Sequence, residues 1–241
     1  RKVASWNYLS FKPRPNLEIG LFEEVIWKIF DDSLGSQPFD YRALIPLPGV
    51  NSALLGLNDE EYNARLGINA AWHLVPTLKV YGQLLFNGDE SSLAGYQVGG
   101  RWSGIFDRLD LQAEYNQADR AATRDISNLQ SAYHFNMPLG HILGRDYSET
   151  VGIISYYHKR IFARLKSIYS LANSVVDESG ENSINVSYTD LRLAYVFNPS
   201  CNFQVYTGYT YREENSERAD RVNGFWYVGI RTTLSNFYRD F

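Results

Sequence analysis

The chain has 241 residues, 44% of them hydrophobic, and a net charge of -4 at pH 7. The weak charge argues against a nucleic-acid-binding face, and the single Cys201 excludes an internal disulfide. No run of about 18 apolar residues occurs, so the sequence predicts no membrane-spanning helix. The 15% of aromatic residues, among them 18 Tyr, favours strands instead.

Alternation of apolar and polar residues predicts β-strands along almost the whole chain. In 63–73, for example, Leu66 and Ile68 share one face while Arg65 and Asn69 share the other. About eleven strands are predicted, near 1–12, 17–29, 62–73, 77–87, 93–104, 108–117, 148–158, 160–171, 185–198, 202–213 and 223–236.

The position of the aromatic residues indicates a transmembrane β-barrel rather than a soluble sandwich. Such barrels carry an outward apolar band between two aromatic girdles. Here the aromatic residues fall near predicted strand ends, at Trp72, Trp102, Tyr115, Tyr157, Phe197, Tyr211 and Trp226. The predicted fold class is therefore all-β, an antiparallel outer-membrane barrel forming one domain over 1–241 in contact with lipid.

The connections alternate in length, which is also typical of outer-membrane barrels, with short periplasmic turns and long external loops. Short connections are predicted at 12–16, 73–77, 104–108, 158–160 and 198–202. Long loops are predicted near 30–61, 117–148, 172–185 and 213–223.

An odd strand number conflicts with the even number usual in single-chain bacterial barrels. The alternation places Arg1 at the external side, so we expect one strand, or a larger odd number, to precede it. In the alternative, 1–13 is not a strand and about ten strands close by themselves.

The last residues, 234–241, end on Phe241. A terminal aromatic residue resembles the insertion signal of outer-membrane proteins. The apolar residues from Trp226 to Leu234 have even numbers while Phe237 and Phe241 have odd ones, so a bulge near Asn236 is predicted.

The segment 138–157, PLGHILGRDYSETVGIISYY, resembles the "P-L-x-H-x-L-G … E" segment of Wzi-like capsule-assembly barrels. Relatives of that family include RemB-like gliding-motility proteins of Bacteroidetes. The segments 8–27 and 235–241 are also similar to that group. The resemblance implies the later part of a barrel of up to about 18 strands, and a role in holding surface polysaccharide or partner subunits. The matching positions are Pro138, Leu139, His141, Leu143, Gly144 and Glu149.

Candidate glycan-binding residues lie in the predicted loop 117–148, because aromatic, amide and acidic groups can stack on sugars and bond their hydroxyls. They are Tyr133, His134, Asn136, His141 and Asp146. Any polar loop carries such residues, and His141 could instead fix the fold of the loop through backbone carbonyls. The histidines lack zinc-ligand spacing, so no metal site and no cofactor are predicted.

A second candidate is a basic patch on the polar strand faces, which would meet acidic glycan. It comprises Arg164, Lys166, Arg192, Arg212 and Arg231. The alternative is a lumen that is either a wet channel or closed by ion pairs and loops.

The apolar segment 43–57 is the candidate for a partner contact, or for a short helix folded into the barrel mouth. Its apolar residues include Ile45, Leu47, Val50, Leu54 and Leu55.

Catalysis is not predicted. Glu23 and Glu24 are adjacent on one strand and point to opposite faces, so they cannot act together on one glycosidic bond. They are interpreted as charged rim residues. No nucleophile elbow or phosphate loop occurs. The function expected is a non-enzymatic surface protein that binds polysaccharide or outer-membrane and periplasmic subunits; the alternative is a diffusion channel for small solutes.

Overall fold

The computed structural model describes residues 1–31, 35–36, 41, 45–55, 62–87, 93–122, 130–134, 137–144, 146–175, 181–217 and 219–233. Nearly all regular structure in these ranges is β. The strands are β1 (Lys2–Arg14), β2 (Leu17–Lys28), β3 (Phe30–Asp31), β4 (Gly35–Ser36), β5 (Tyr62–Val75), β6 (Leu78–Asn87), β7 (Gly95–Ile105), β8 (Leu109–Ala118), β9 (Tyr133–His134), β10 (Met137–Pro138), β11 (Tyr147–His158), β12 (Ile161–Val175), β13 (Glu181–Asn198), β14 (Phe203–Ser216) and β15 (Arg221–Arg231). The helical pieces are α1 (Val50–Leu55) and a 3-10 turn at Arg120–Ala122.

Eleven strands form one antiparallel sheet in the order β1-β2-β5-β6-β7-β8-β11-β12-β13-β14-β15. This confirms the predicted all-β antiparallel fold and the predicted strand number. The two-stranded pairs β3-β4 and β9-β10 lie in long connections. The alternative in which 1–13 is not a strand is wrong, since β1 pairs with β2 from Lys2 to Phe11 in unbroken register.

The sheet has a turn end and a loop end, named after the connections found there. Tight turns occupy the turn end; Lys159 and Asn202 reach the left-handed region there, with φ of 53° and 49°. Arg1 lies at the loop end, because Lys2 pairs with Lys28 and the carbonyl of Arg1 accepts from the Ile29 N–H at 3.0 Å.

Two loop-end connections are shorter than predicted, because the strands continue beyond their alternating stretches. β12 and β13 stay paired to Val175 and Glu181, and β14 and β15 to Glu214 and Arg221. The predicted loops 172–185 and 213–223 are therefore largely hairpin. Backbone pairing needs no apolar face, so polar residues extend the strands where hydrophobic alternation has stopped.

The two faces of the sheet follow from register, since paired residues share a face and neighbours alternate. We call the face with Arg65 and Asn116 the inner face, because two cavities described below open on it. The face with Leu66 and Tyr115 is the outer face. On β5, the predicted apolar residues such as Leu66 and Ile68 lie on the outer face, and the predicted polar residues such as Arg65 and Asn69 lie on the inner face.

Aromatic side chains on the outer face form two belts. Near the turn end, Phe197 lies 5.0 Å from Tyr195 and 5.7 Å from Phe203, measured between ring centroids. Toward the loop end, Tyr96 and Tyr115 are 5.9 Å apart, and both hydroxyls bond Gln117. Trp72, Trp102, Tyr211 and Trp226 are also on the outer face by register. Tyr157 is the exception: it lies on the inner face and lines a cavity there.

The apolar segment 45–55 packs on the outer face and not in the mouth of a barrel. The Asn7 amide donates to the Ile45 carbonyl at 2.9 Å, and α1 contacts β2 and β5. The segment packs there because the outer face of β1 and β2 carries two polar side chains, Asn7 and Glu23. The segment supplies the hydrogen-bond partners of both. The insertion signal Phe241 and the predicted bulge near Asn236 lie outside the described residues.

Candidate functional site

A cavity of about 420 Å³ opens on the inner face toward the loop end. We call it the loop-end cavity. Strands β1, β2, β5, β6, β7, β8 and β11 supply one part of its wall, and the segments after β8 supply the rest. Its volume lies within the range of about 300–1,000 Å³ usual for small-ligand pockets.

An ion pair between Glu24 and Arg65 forms the charged part of the cavity wall. Both side chains are buried, with 4% of each exposed, and Arg65 also donates to the carbonyl of Ala122. A buried ion pair persists only when further hydrogen bonds satisfy it. The chain after β8 therefore crosses the inner face to reach β5.

Two further bonds hold that crossing segment against the opposite strands. The Lys2 ammonium donates to the Ser131 carbonyl at 2.6 Å, and the Asn63 amide donates to the Gln130 carbonyl at 2.9 Å. The two bonded pairs are separated by 129 positions in the sequence for Lys2 and Ser131, and by 67 positions for Asn63 and Gln130. The connecting chain thus fills part of the interior at the loop end and forms one side of the cavity.

His141 belongs to a second polar group in the same wall. Its Nε2 lies 3.0 Å from the Glu149 carboxylate, which also accepts from the Asn116 amide at 3.0 Å. The His141 ring stacks on Tyr147 at 4.6 Å. The loop-fixing role weighed for His141 is thus present, with a carboxylate rather than backbone carbonyls as the main partner.

The cavity offers both aromatic surface and accessible polar side chains. Trp6 and Phe22 line it from β1 and β2, and 57% of Trp6 is exposed. Gln83 and Gln97 are directly paired across β6 and β7 in the same wall, the first exposed and the second half-buried. Their amides can donate to and accept from the hydroxyl groups of a bound molecule.

Of the predicted glycan residues, only His141 lines this cavity. Asp146 is paired with Arg120 at 3.1 Å and accepts from Asn173, so its carboxylate anchors the loop. Tyr133 packs beside Gly144, and His134 is exposed on β9. Asn136 lies outside the described residues. The glycan-contact role of these residues stays a prediction.

The predicted basic residues all lie on the inner face, but their surroundings differ. Arg164 and Arg231 line a second cavity of about 310 Å³ near the turn end, which we call the turn-end cavity. Arg192 instead packs over the Tyr206 ring at 4.9 Å. Arg212 is paired with Glu214 at 2.7 Å, and Lys166 is opposite Asp190.

Glu23 and Glu24 are not rim residues, as the sequence suggested, because both are buried. They do point to opposite faces. Glu23, on the outer face, accepts from the backbone N–H and the hydroxyl of Ser52, each at 2.7 Å, and from the Asn51 amide at 3.0 Å. The connection before β5 thus donates to the Glu23 carboxylate, and the connection after β8 accepts from Arg65, the partner of Glu24.

Several residues of the site were missed from the sequence. Trp6, Phe22 and Asn116 read as ordinary members of alternating strands, and Glu149 was noted only through the family resemblance. The available signal was an aromatic residue on the polar face of a strand, as at Trp6 and Phe22. Such residues do not face lipid and need another partner.

No family model and no curated protein matches the chain. A solved structure does: Wzi of Escherichia coli, described as an outer-membrane protein involved in group 1 capsule assembly and as a carbohydrate-binding β-barrel. The TM-score is 0.65 at 15% sequence identity, with 98% of this chain and 52% of that chain covered. At this identity the likeness shows the fold, a β-barrel type of antiparallel sheet. The chain spans about half the length of Wzi.

The described residues contain no helix of the length and apolarity needed to cross a membrane. They also contain no group of three or more His, Cys, Asp or Glu placed to hold a metal ion.

Proposed function

We propose that this chain is part of an outer-membrane β-barrel that binds a surface polysaccharide in the loop-end cavity, without catalysing a reaction. The observation that carries the proposal is the make-up of that cavity. An exposed Trp6 on the inner face lies in the same wall as the accessible amides of Gln83 and Gln97. Sugars present apolar ring faces and hydroxyl groups, and this combination suits both.

The outer face supports placement in a membrane. Leu165, Leu191, Leu193, Val228 and Ile230 on β12, β13 and β15 are more than a third exposed. Aromatic belts border this apolar surface on both sides. Along β14, Phe203 and Tyr211 are eight residues apart, about 27 Å at about 3.4 Å per residue. At the usual tilt of about 40°, that stretch spans roughly 21 Å along the membrane normal, slightly less than the apolar band of about 25 Å in such barrels.

The fold likeness to Wzi agrees with the proposal, since that protein is described as carbohydrate-binding and outer-membrane. The sequence resemblance to capsule-assembly and gliding-associated barrels also suggests partner subunits. The exposed side chains of Leu47 and Leu54 on the outer-face segment 45–55 are the candidate contacts for them. Copurification from outer membranes, with and without Leu47→Ser and Leu54→Ser, would show whether a subunit depends on this segment.

The binding test uses the full chain in detergent or lipid discs and a panel of bacterial surface polysaccharides. Trp6→Ala removes the stacking surface, and we expect binding to weaken by about ten-fold, because an aromatic contact is worth about 0.5–1.5 kcal/mol beyond its buried area. Trp102→Ala removes a tryptophan from the outer face and is the matched control. Equal binding by both variants, or no binding by the native protein, would refute the proposal.

A diffusion channel is the alternative. The chain after β8, tied to Lys2, Asn63 and Arg65, fills part of the interior and opposes an open pore. We expect no steady single-channel current in planar bilayers. Regular conductance steps would favour the channel.

A further inference from the structure

The turn-end cavity is more basic than the loop-end cavity. Arg101, Arg164 and Arg231 line it together with one acidic residue, Asp110. They come from β7, β12, β15 and β8, so the curvature of the sheet brings together strands that are not neighbours. A concave site with one sign of charge concentrates ions of the opposite sign.

The single carboxylate among the described residues of this wall, Asp110, does not compensate the charge of three arginines. Arg101 is held by Asp110, with Nη2 3.4 Å from Oδ2. For Arg164 and Arg231, the described residues provide no hydrogen bond and no ion pair. Arg164 is half-buried, so its guanidinium is partly removed from water without an ion pair to a described carboxylate.

The neighbour of Arg164 across the sheet increases the need for an anion. Arg192 is directly opposite Arg164 in the register of β12 and β13. Like charges in that position destabilise a sheet. Arg192 turns to Tyr206 and Tyr227, whose rings lie 4.9 and 5.7 Å from its guanidinium carbon. Arg164 therefore remains free to point into the cavity.

Uncharged groups complete the wall. Ser155 and Gln112 can bond hydroxyl groups, and the rings of Tyr157 and Phe162 are 4.9 Å apart in the same wall. Guanidinium groups bind carboxylates by two parallel N–H···O bonds. The set suits a sugar that carries a carboxylate.

We propose that the turn-end cavity is a second subsite, in which Arg164 and Arg231 bind the carboxylate of an acidic sugar residue. The inference rests on the proposed carbohydrate function and adds the class of sugar. The two cavities share one face: from Gln97 to Arg101 along β7 is four residues, about 13 Å at about 3.3 Å per residue. A short acidic oligosaccharide can span that distance.

The test compares a galacturonate tetrasaccharide with its carboxyl-reduced, neutral form, on the full chain in detergent. We expect the native protein to prefer the acidic form by roughly ten- to hundred-fold at low salt, the effect of about 1.5–3 kcal/mol for hydrogen bonds to charged groups. The preference should shrink at 0.5 M salt because an exposed charge contact is screened.

Arg164→Gln combined with Arg231→Gln should remove the preference, while Arg108→Gln, an exposed turn arginine, should keep it. The double variant should unfold at the same denaturant concentration as the native protein or at a slightly higher one, since neither arginine has a described partner to lose and the repulsion between Arg164 and Arg192 is removed.

Equal binding of both oligosaccharides by the native protein, or a preference kept by the double variant, would overturn the subsite alone. If the native protein binds neither these nor any surface polysaccharide, the proposed function fails as well.

Discussion

Strands β1, β2 and β5 differ from strands β12 to β15 in what covers them. In the first region connecting segments lie on both faces, and Glu23 and Arg65 are only 1% and 3% exposed. In the second region the described contacts of the strands are mainly with one another. Trp226 and Val228 on β15 are 74% and 78% exposed. The same alternating pattern thus supports two very different environments.

The difference shows that a charged residue on a strand can stabilise packing when a connecting segment or a neighbouring strand supplies its partner. Glu23 binds the start of α1 on the outer face, and Glu24 binds Arg65 on the inner face. In β12 to β15, side chains instead pack against residues of the neighbouring strand. Tyr227 lies over Gly208, and Tyr206 lies over Gly229, where a larger residue would collide with the ring.

The largest expected effect is in the first region. Arg65→Ala leaves Glu24 as a buried carboxylate without its counter-ion, and we expect the free energy of unfolding to fall by about 3–5 kcal/mol. Denaturant unfolding followed by tryptophan fluorescence would measure the loss.

Arg212→Ala is the control from the second region. Its pair with Glu214 is partly exposed, with 43% and 19% of the side chains accessible, so we expect a loss of no more than about 1 kcal/mol. Similar losses for the two variants would show that the regions do not differ in this way.

A smaller effect is expected at Glu23. Glu23→Ala removes the acceptor of three hydrogen bonds from Asn51 and Ser52. We expect a loss of about 1.5–3 kcal/mol, the value for hydrogen bonds to charged groups. We also expect faster amide hydrogen exchange in 45–55, measured by mass spectrometry.

Glu18→Ala is the matched control, because Glu18 has only a 3.6 Å contact with the exposed Lys12. Unchanged exchange in 45–55 after Glu23→Ala would mean that Glu23 does not hold the segment.

The smallest effect is expected in the second region. Gly208→Ala places a Cβ against the Tyr227 ring and 2.6 Å from the Leu191 carbonyl oxygen. Overpacking of this kind costs about 1–3 kcal/mol. The Tyr227 ring can move, but the contact with the Leu191 backbone oxygen requires a shift of the strand itself.

Gly152→Ala on β11 tests the same change where nothing lies within 4 Å of the added Cβ. It should be neutral or slightly stabilising, because alanine lowers the entropy of the unfolded chain. Equal unfolding midpoints for the two variants would refute tyrosine-over-glycine packing as a constraint.

Much of the fold could be predicted because strand pairing repeats a local rule. A period of two shows which residues share a face, as at Leu66 and Ile68, and short turns fix which strands are neighbours. The predicted strand ends fell within a few residues of the observed ones for most strands. The errors lie where β12 to β15 continue as polar hairpins, since their ends lack the apolar alternation that the prediction used.

The site was less predictable, because it depends on residues far apart in the chain. His141 was found through the family resemblance, and its contact Glu149 is on the next strand. The Lys2 contact with Ser131 and the Arg65 contact with Ala122 have no local signal. The aromatic residues Trp6 and Phe22 gave a signal only once the inner face was known.

The sequence alone determined the β-strands, their order and their two faces, because these follow from alternation and turn length within about a dozen residues. Only the tertiary structure decided which connection packs on which face. It placed α1 over Glu23 outside and the chain after β8 over Glu24 and Arg65 inside. The physical reason is that a buried charged group needs hydrogen-bond partners, and only the folded chain brings the distant ones, Ser52 to Glu23 and the Ala122 carbonyl to Arg65.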